Sequence, residues 1–143
     1  MPSSKLGGQS GKLDRRPRRL DLRLRRPQMS MIEDPIVRSA LREFDRKLRE
    51  RFGRSYVRSI LFGSRARGDS QPDSDADVAV ILRGRIENRW SVKRQIIEDT
   101  YQILLETGLY IQPWPLEEGE LDDPEQSSNP DLVRNILREG IPA

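Results

Sequence analysis

An apolar run ending in Ile60-Leu61-Phe62 stops at Gly63-Ser64, and ten residues later a second run, residues 78–82, begins behind Asp75-Ala76-Asp77. Two short β-forming runs joined by a polar loop predict two strands of one sheet. The residues at the ends of those runs are the ones that carry chemistry. Side chains alternate faces along a strand, so Asp75 and Asp77 are expected to point the same way. With backbones roughly 6–7 Å apart, the two charges repel by roughly 3 kcal/mol at an effective dielectric near 20. A divalent cation converts that repulsion into coordination, and Mg²⁺ fills its other positions with water and phosphate oxygens. Taken alone, Asp-x-Asp is a weak signal, and a solvated strand entry is the preferred reading.

The Gly-Ser turn makes the pattern more specific. A glycine after a strand lets backbone approach a ligand closely. Ser64 is expected to cap a short helix or to donate to a phosphate oxygen. Arg65 and Arg67 supply planar, permanently charged donors for phosphate. An ordinary strand-to-helix turn with solvated arginines is the bland alternative. Turn and carboxylates together, between apolar runs, point to a metal–triphosphate site.

Composition narrows the chemistry further. The 143 residues contain no cysteine and no histidine. That leaves no thiolate nucleophile, no histidine acid–base catalyst and no conventional zinc site. Residues 1–30 carry nine Lys/Arg against Asp14 and Asp21, a local charge of +7, so the rest, 17 basic against 21 acidic, carries −4. The basic balance belongs to the tail, and no direct nucleic-acid binding is expected of the folded domain. Residues 1–30 are expected to be a disordered Arg-rich tail, and residues 31–143 one domain. The tail is read either as an electrostatic arm or as residues ahead of a true start at Met29 or Met31, the second being preferred. Without a ~7–15-residue signal core or a ~20-residue apolar span, the expected location is cytoplasmic, with no membrane association.

Along the chain, Asp34-Pro35 predicts a helix start, and Val37, Ala40, Leu41, Phe44, Leu48 and Phe52 follow at helical spacing up to Gly53. Residues 57–62 and 78–82 are strands, with a short helix from Ser64. Residues 88–107 are a long helix whose apolar side is read as Trp90, Val92, Ile96, Ile97, Tyr101, Leu104 and Leu105. A third strand is expected at 109–112, cut off by Pro113 and Pro115. An acidic loop and a last helix from Asn129-Pro130 to Gly140 complete the order. Strands alternating with helices mean an α/β layer fold on a small sheet.

The stretch from Phe62 through Gly68, together with Ser74 through Val80, resembles the signature of the DNA polymerase beta-type nucleotidyltransferases. More narrowly it resembles their minimal stand-alone form, the MNT proteins. The resemblance covers roughly residues 33–140 in element order and 62–80 in close motif. It implies a small mixed β-sheet flanked by helices and Mg²⁺-dependent transfer of AMP from ATP. Gly63, Ser64, Arg65 and Arg67 would bind the nucleotide, and Asp75 and Asp77 would be the catalytic, metal-holding residues. It further implies an antitoxin that attaches AMP to a tyrosine of a HEPN-domain toxin.

One departure stands out. Active members carry a third carboxylate on the next strand, and Gln112 is the expected occupant here. An amide takes no proton at neutral pH. Glu117 or Glu118 could reach in, although a solvated loop is the preferred reading for both. Two further functions stay open: an impaired module that neutralises its partner by binding, and a small-molecule (antibiotic) nucleotidyltransferase.

Overall fold

The computed structural model describes residues 34–143, so the expected tail at 1–30 lies outside the described residues. Helix α1 (Pro35–Phe52) starts as read: the Asp34 carboxylate accepts from the N–H groups of Ile36 and Val37, and Gly53 at φ 54° ends it. Strand β1 (Tyr56–Phe62) leads into helix α2 (Ser64–Arg67), then strand β2 (Ala76–Leu82) and helix α3 (Arg89–Thr107). Strand β3 (Ile111–Glu117), the short helix α4 (Glu118–Asp122), helix α5 (Pro130–Glu139) and the two-residue strand β4 (Ile141–Pro142) follow. Among the described residues, no helix is long and apolar enough to cross a membrane.

The sheet is mixed, in the order β3-β2-β1-β4. β1 runs antiparallel to both β2 and β4, whereas β2 and β3 are parallel. Central β2 is buried on both faces, as its unbroken apolar run requires. On one face, Val78 and Val80 pack with Phe44 and Leu48 of α1 and Ile96 and Ile103 of α3. On the other, Ala79 and Ile81 pack with Leu121 of α4 and Val133 and Ile136 of α5. Each such fully buried aliphatic contributes about 1.5–3 kcal/mol relative to exposure.

Three expectations are corrected. β3 does not stop at Gln112; it runs through Pro113 and Pro115 to Glu117. It can do so because it is an edge strand. Residues of a parallel pair turn alternately toward and away from the neighbour, so the two prolines, two apart, both place their missing N–H toward the open edge. The prolines also block that edge against a further strand. Second, the apolar residues of α3 do not share one buried face. Ile96, Thr100 and Ile103 are buried, whereas Trp90, Tyr101 and Leu105 are 63%, 57% and 68% exposed.

Third, the acidic loop is partly helix, and Glu120 within it is buried. Its carboxylate accepts from the Ser127 hydroxyl at 2.7 Å, the Glu117 N–H at 2.8 Å and the Arg89 guanidinium at 2.5 Å. Burial pushes its pKa up, but these three donors together hold it below the ordinary glutamate value. A depressed folded-state pKa stabilises above the unfolded value and loses that contribution as pH falls through the folded one. Glu120→Ala strips three donors of their acceptor and is expected to cost about 2–4 kcal/mol, read from urea midpoints at neutral pH.

Candidate active site

The ladder between β1 and β2 ends with Phe62 opposite Asp77. The next residue, Gly63, therefore turns back across the Asp77 carboxylate. Its backbone, φ 79° and ψ −158°, lies in a region reserved almost wholly for glycine. A Cβ built there would lie 2.5 Å from Asp77 Oδ2. The glycine is thus required twice over, by conformation and by contact with the carboxylate two elements away.

Asp77 is half-buried at the start of β2, whereas Asp75 lies just before the strand and is exposed. The indole N–H of Trp114, on β3, donates to Asp77 Oδ1 at 3.3 Å. Burial raises the Asp77 pKa above the ordinary aspartate value, and the charges of Asp75 and Glu139 add to the rise; the Trp114 hydrogen bond and Arg67 work against it. Asp77 is thus a carboxylate with surplus negative charge around it, which suits a divalent cation. Among the described residues no group of three or more His, Cys, Asp or Glu is placed to hold a metal. Asp75 and Asp77 would be the protein's ligands to Mg²⁺, with phosphate and water completing the shell.

Glu139 is the carboxylate that sequence reading missed. The pairing of Leu61 with Ile141 draws the end of α5 alongside β1. Glu139 Oε1 then accepts from the Gly63 N–H and from Arg67, each at 3.2 Å. Only the long-range pairing of the two-residue β4 creates this neighbour, and no local signal announces it. Glu139→Gln removes a negative charge beside Asp77, so the Asp77 pKa is expected to fall toward the ordinary value, as read by carboxyl carbon NMR titration.

The predicted nucleotide-binding residues divide. Gly63 caps α2, and Ser64 is its first residue, so Ser64 does not serve as the cap. The Ser64 carbonyl accepts from the Gly68 and Asp69 N–H groups. Arg67 faces the site through Glu139, and its Nε also donates to Asp69 at 3.1 Å. Arg65 turns into the loop, donating to the carbonyls of Ser74 at 3.0 Å and Pro72 at 3.2 Å. It braces the segment that delivers Asp75 and Asp77. Gln112 is the register partner of Asp77 in the parallel pair, so an amide stands level with the carboxylate on the neighbouring strand. Glu117 points elsewhere, accepting from the Ile86 N–H at 2.8 Å.

Residues 41–141 match the family model described as the nucleotidyltransferase domain; the chain belongs to that family. A curated relative from Methanocaldococcus jannaschii, named "Putative protein adenylyltransferase", is 29% identical over 106 residues, spanning 74% of this chain and 70% of the relative. Two solved structures are also similar. A "putative nucleotidyltransferase" from Sulfolobus solfataricus aligns over 79% of this chain and 85% of its own, at 22% identity and a TM-score of 0.47. A crystal structure described as "the toxin-antitoxin with AMP-PNP" aligns over 69% and 68%, at 19% identity and a TM-score of 0.46.

Proposed function

We propose that the protein transfers AMP from ATP, with Mg²⁺, to a tyrosine hydroxyl of a partner protein, acting as the antitoxin of a HEPN-domain toxin. The observation that carries the transferase reading is the contact between Gly63 and Asp77, a glycine turn folded against a carboxylate that a single Cβ would displace. Family membership supports the chemistry. The name of the archaeal relative supports a protein as acceptor. The HEPN partner rests on the resemblance of residues 62–80 to the MNT proteins.

In this reading the Gly63 N–H and Arg67 exchange Glu139 for phosphate oxygens of the nucleotide. Asp75 and Asp77 would hold Mg²⁺, which would supply positive charge to offset that of the triphosphate. The tyrosine oxygen forms a bond to the α-phosphorus, and the bond from that phosphorus to pyrophosphate breaks. The hydroxyl proton leaves to water or to a base on the partner, because Gln112 takes none. Labelled ATP tests this reading: label in the α-phosphate is expected on the partner protein, and label in the γ-phosphate is not. Label from the γ-position would mean a kinase instead.

Gln112 level with Asp77 favours one second reading, a partner-binding module that protects without transfer. Full protection of the partner by an Asp75→Asn, Asp77→Asn double variant would establish that reading, and loss of protection would remove it.

A further inference from the structure

Both tryptophans of the chain, Trp90 and Trp114, border one cleft of about 260 Å³, together with Lys93, Pro115, Ser128 and Leu132. Its walls come from the start of α3, the end of β3 and the entry to α5. Trp114 connects it to the carboxylates: one edge of the indole donates to Asp77, and the ring lines the cleft. The Lys93 ammonium lies 4.6 Å from the centroid of that ring. Trp90 is exposed on the rim, with the Arg94 guanidinium 5.9 Å from its centroid.

The sheet order gives this cleft a side. In-line displacement puts the incoming oxygen and the leaving group on opposite sides of the phosphorus. Gly63, Arg67 and Glu139 lie on the β1 side of Asp77, and Trp114 lies on the β3 side. With pyrophosphate drawn toward the Gly63 N–H and Arg67, the nucleophile approaches from β3. Accepting the transferase reading above, we propose that the cleft between Trp90 and Trp114 is the acceptor subsite, which takes the aromatic ring of the tyrosine to be modified.

The chemistry of the walls fits that occupant. Two indoles and a proline supply apolar, stacking surface for a phenol ring. The volume is below the ~300–1,000 Å³ of pockets that enclose a whole drug-sized ligand, so it suits a ring and its stem rather than an entire nucleotide. A positive charge within roughly 4–6 Å favours the ionised form of an acid. The other charged groups of the lining, Arg89 and Glu120, are paired with each other at 2.5 Å, so Lys93 would lower the pKa of a phenol held there. That supplies activation where Gln112 offers no base: the proton passes to water and the phenolate oxygen attacks.

The test uses the intrinsic fluorescence of the full chain, since both of its tryptophans report on the cleft. N-acetyltyrosinamide, added to protein holding Mg²⁺ and a non-hydrolysable ATP analogue, is expected to change the tryptophan emission saturably. Ser128→Phe, a filling substitution at an exposed position, is expected to weaken that probe by about tenfold or more while leaving nucleotide affinity unchanged. Lys93→Met is expected to move the pH dependence of tyrosinamide modification upward. Far-UV circular dichroism checks that both variants are folded. If the nucleotide alone saturates the emission change and Ser128→Phe weakens the nucleotide, the cleft holds the base and the proposal is overturned. Absence of any response to millimolar tyrosinamide overturns it as well. Nucleotide binding indifferent to Asp77→Asn would instead count against the transferase reading, whatever the cleft binds.

Discussion

Gly63→Ala is expected to cut nucleotide transfer sharply and to destabilise the fold together. A side chain at φ 79°, ψ −158° costs about 1–3 kcal/mol in backbone strain. The new Cβ would also sit 2.5 Å from Asp77 Oδ2, and neither neighbour has slack. Gly63 is tied by its N–H to Glu139, and Asp77 is tied to Trp114. Relief therefore means moving the carboxylate. A shift of about 1 Å at a reacting centre costs on the order of 10²-fold in rate. The expected result is a loss of at least that size in transfer, with a lower urea midpoint. Wild-type transfer in a folded Gly63→Ala protein would show that the turn does not position Asp77 for catalysis.

Asp77→Asn is expected to separate those two effects. The substitution keeps shape and keeps an acceptor for the Trp114 indole, but it removes a metal-holding charge. Transfer should fall by about 10³-fold. Stability should move the other way. The folded-state pKa of Asp77 is raised, chiefly by burial, so the native state binds more protons than the unfolded state between the two pKa values. Stability then falls as pH rises through that window, and the ionised carboxylate is a net cost at neutral pH. Asp77→Asn should therefore show a higher Tm than wild type at neutral pH without Mg²⁺. The difference should vanish below about pH 4, the ordinary aspartate range. Added Mg²⁺ should raise the Tm of the wild type more than that of the variant, since only a ligand that binds the native state stabilises it. A lower Tm for the variant at neutral pH would contradict the account of Asp77 as a destabilised, functional carboxylate.

The parts of the fold that were legible in the sequence are those fixed locally. Asp34-Pro35 and Gly53 bound α1 because capping and left-handed exit are properties of single residues. The double-sided burial of β2 followed from an unbroken apolar run. What misled was context. Pro113 and Pro115 end a strand that has two neighbours but not one at an edge, and edge position is a property of the whole sheet. Trp90, Tyr101 and Leu105 look like core on a helical wheel, yet α3 packs through Ile96, Thr100 and Ile103. At the site, Gly63 and Asp77 could be paired from spacing because one antiparallel ladder joins them. Glu139 and Trp114 could not, since each reaches the site through another strand. Arg65 is a phosphate-ligand candidate by its charge, and its bonds to the Ser74 and Pro72 carbonyls depend on how the loop folds back, which no local pattern announces.

The most direct test of the central claim is intact-mass measurement of the partner protein co-expressed with this chain and supplied with ATP and Mg²⁺. The account predicts one or more added AMP groups on tyrosine, absent when the chain carries Asp77→Asn. A stable, protected complex whose partner carries no AMP would contradict it and leave Gln112, the amide level with Asp77, as the mark of an antitoxin that acts by binding.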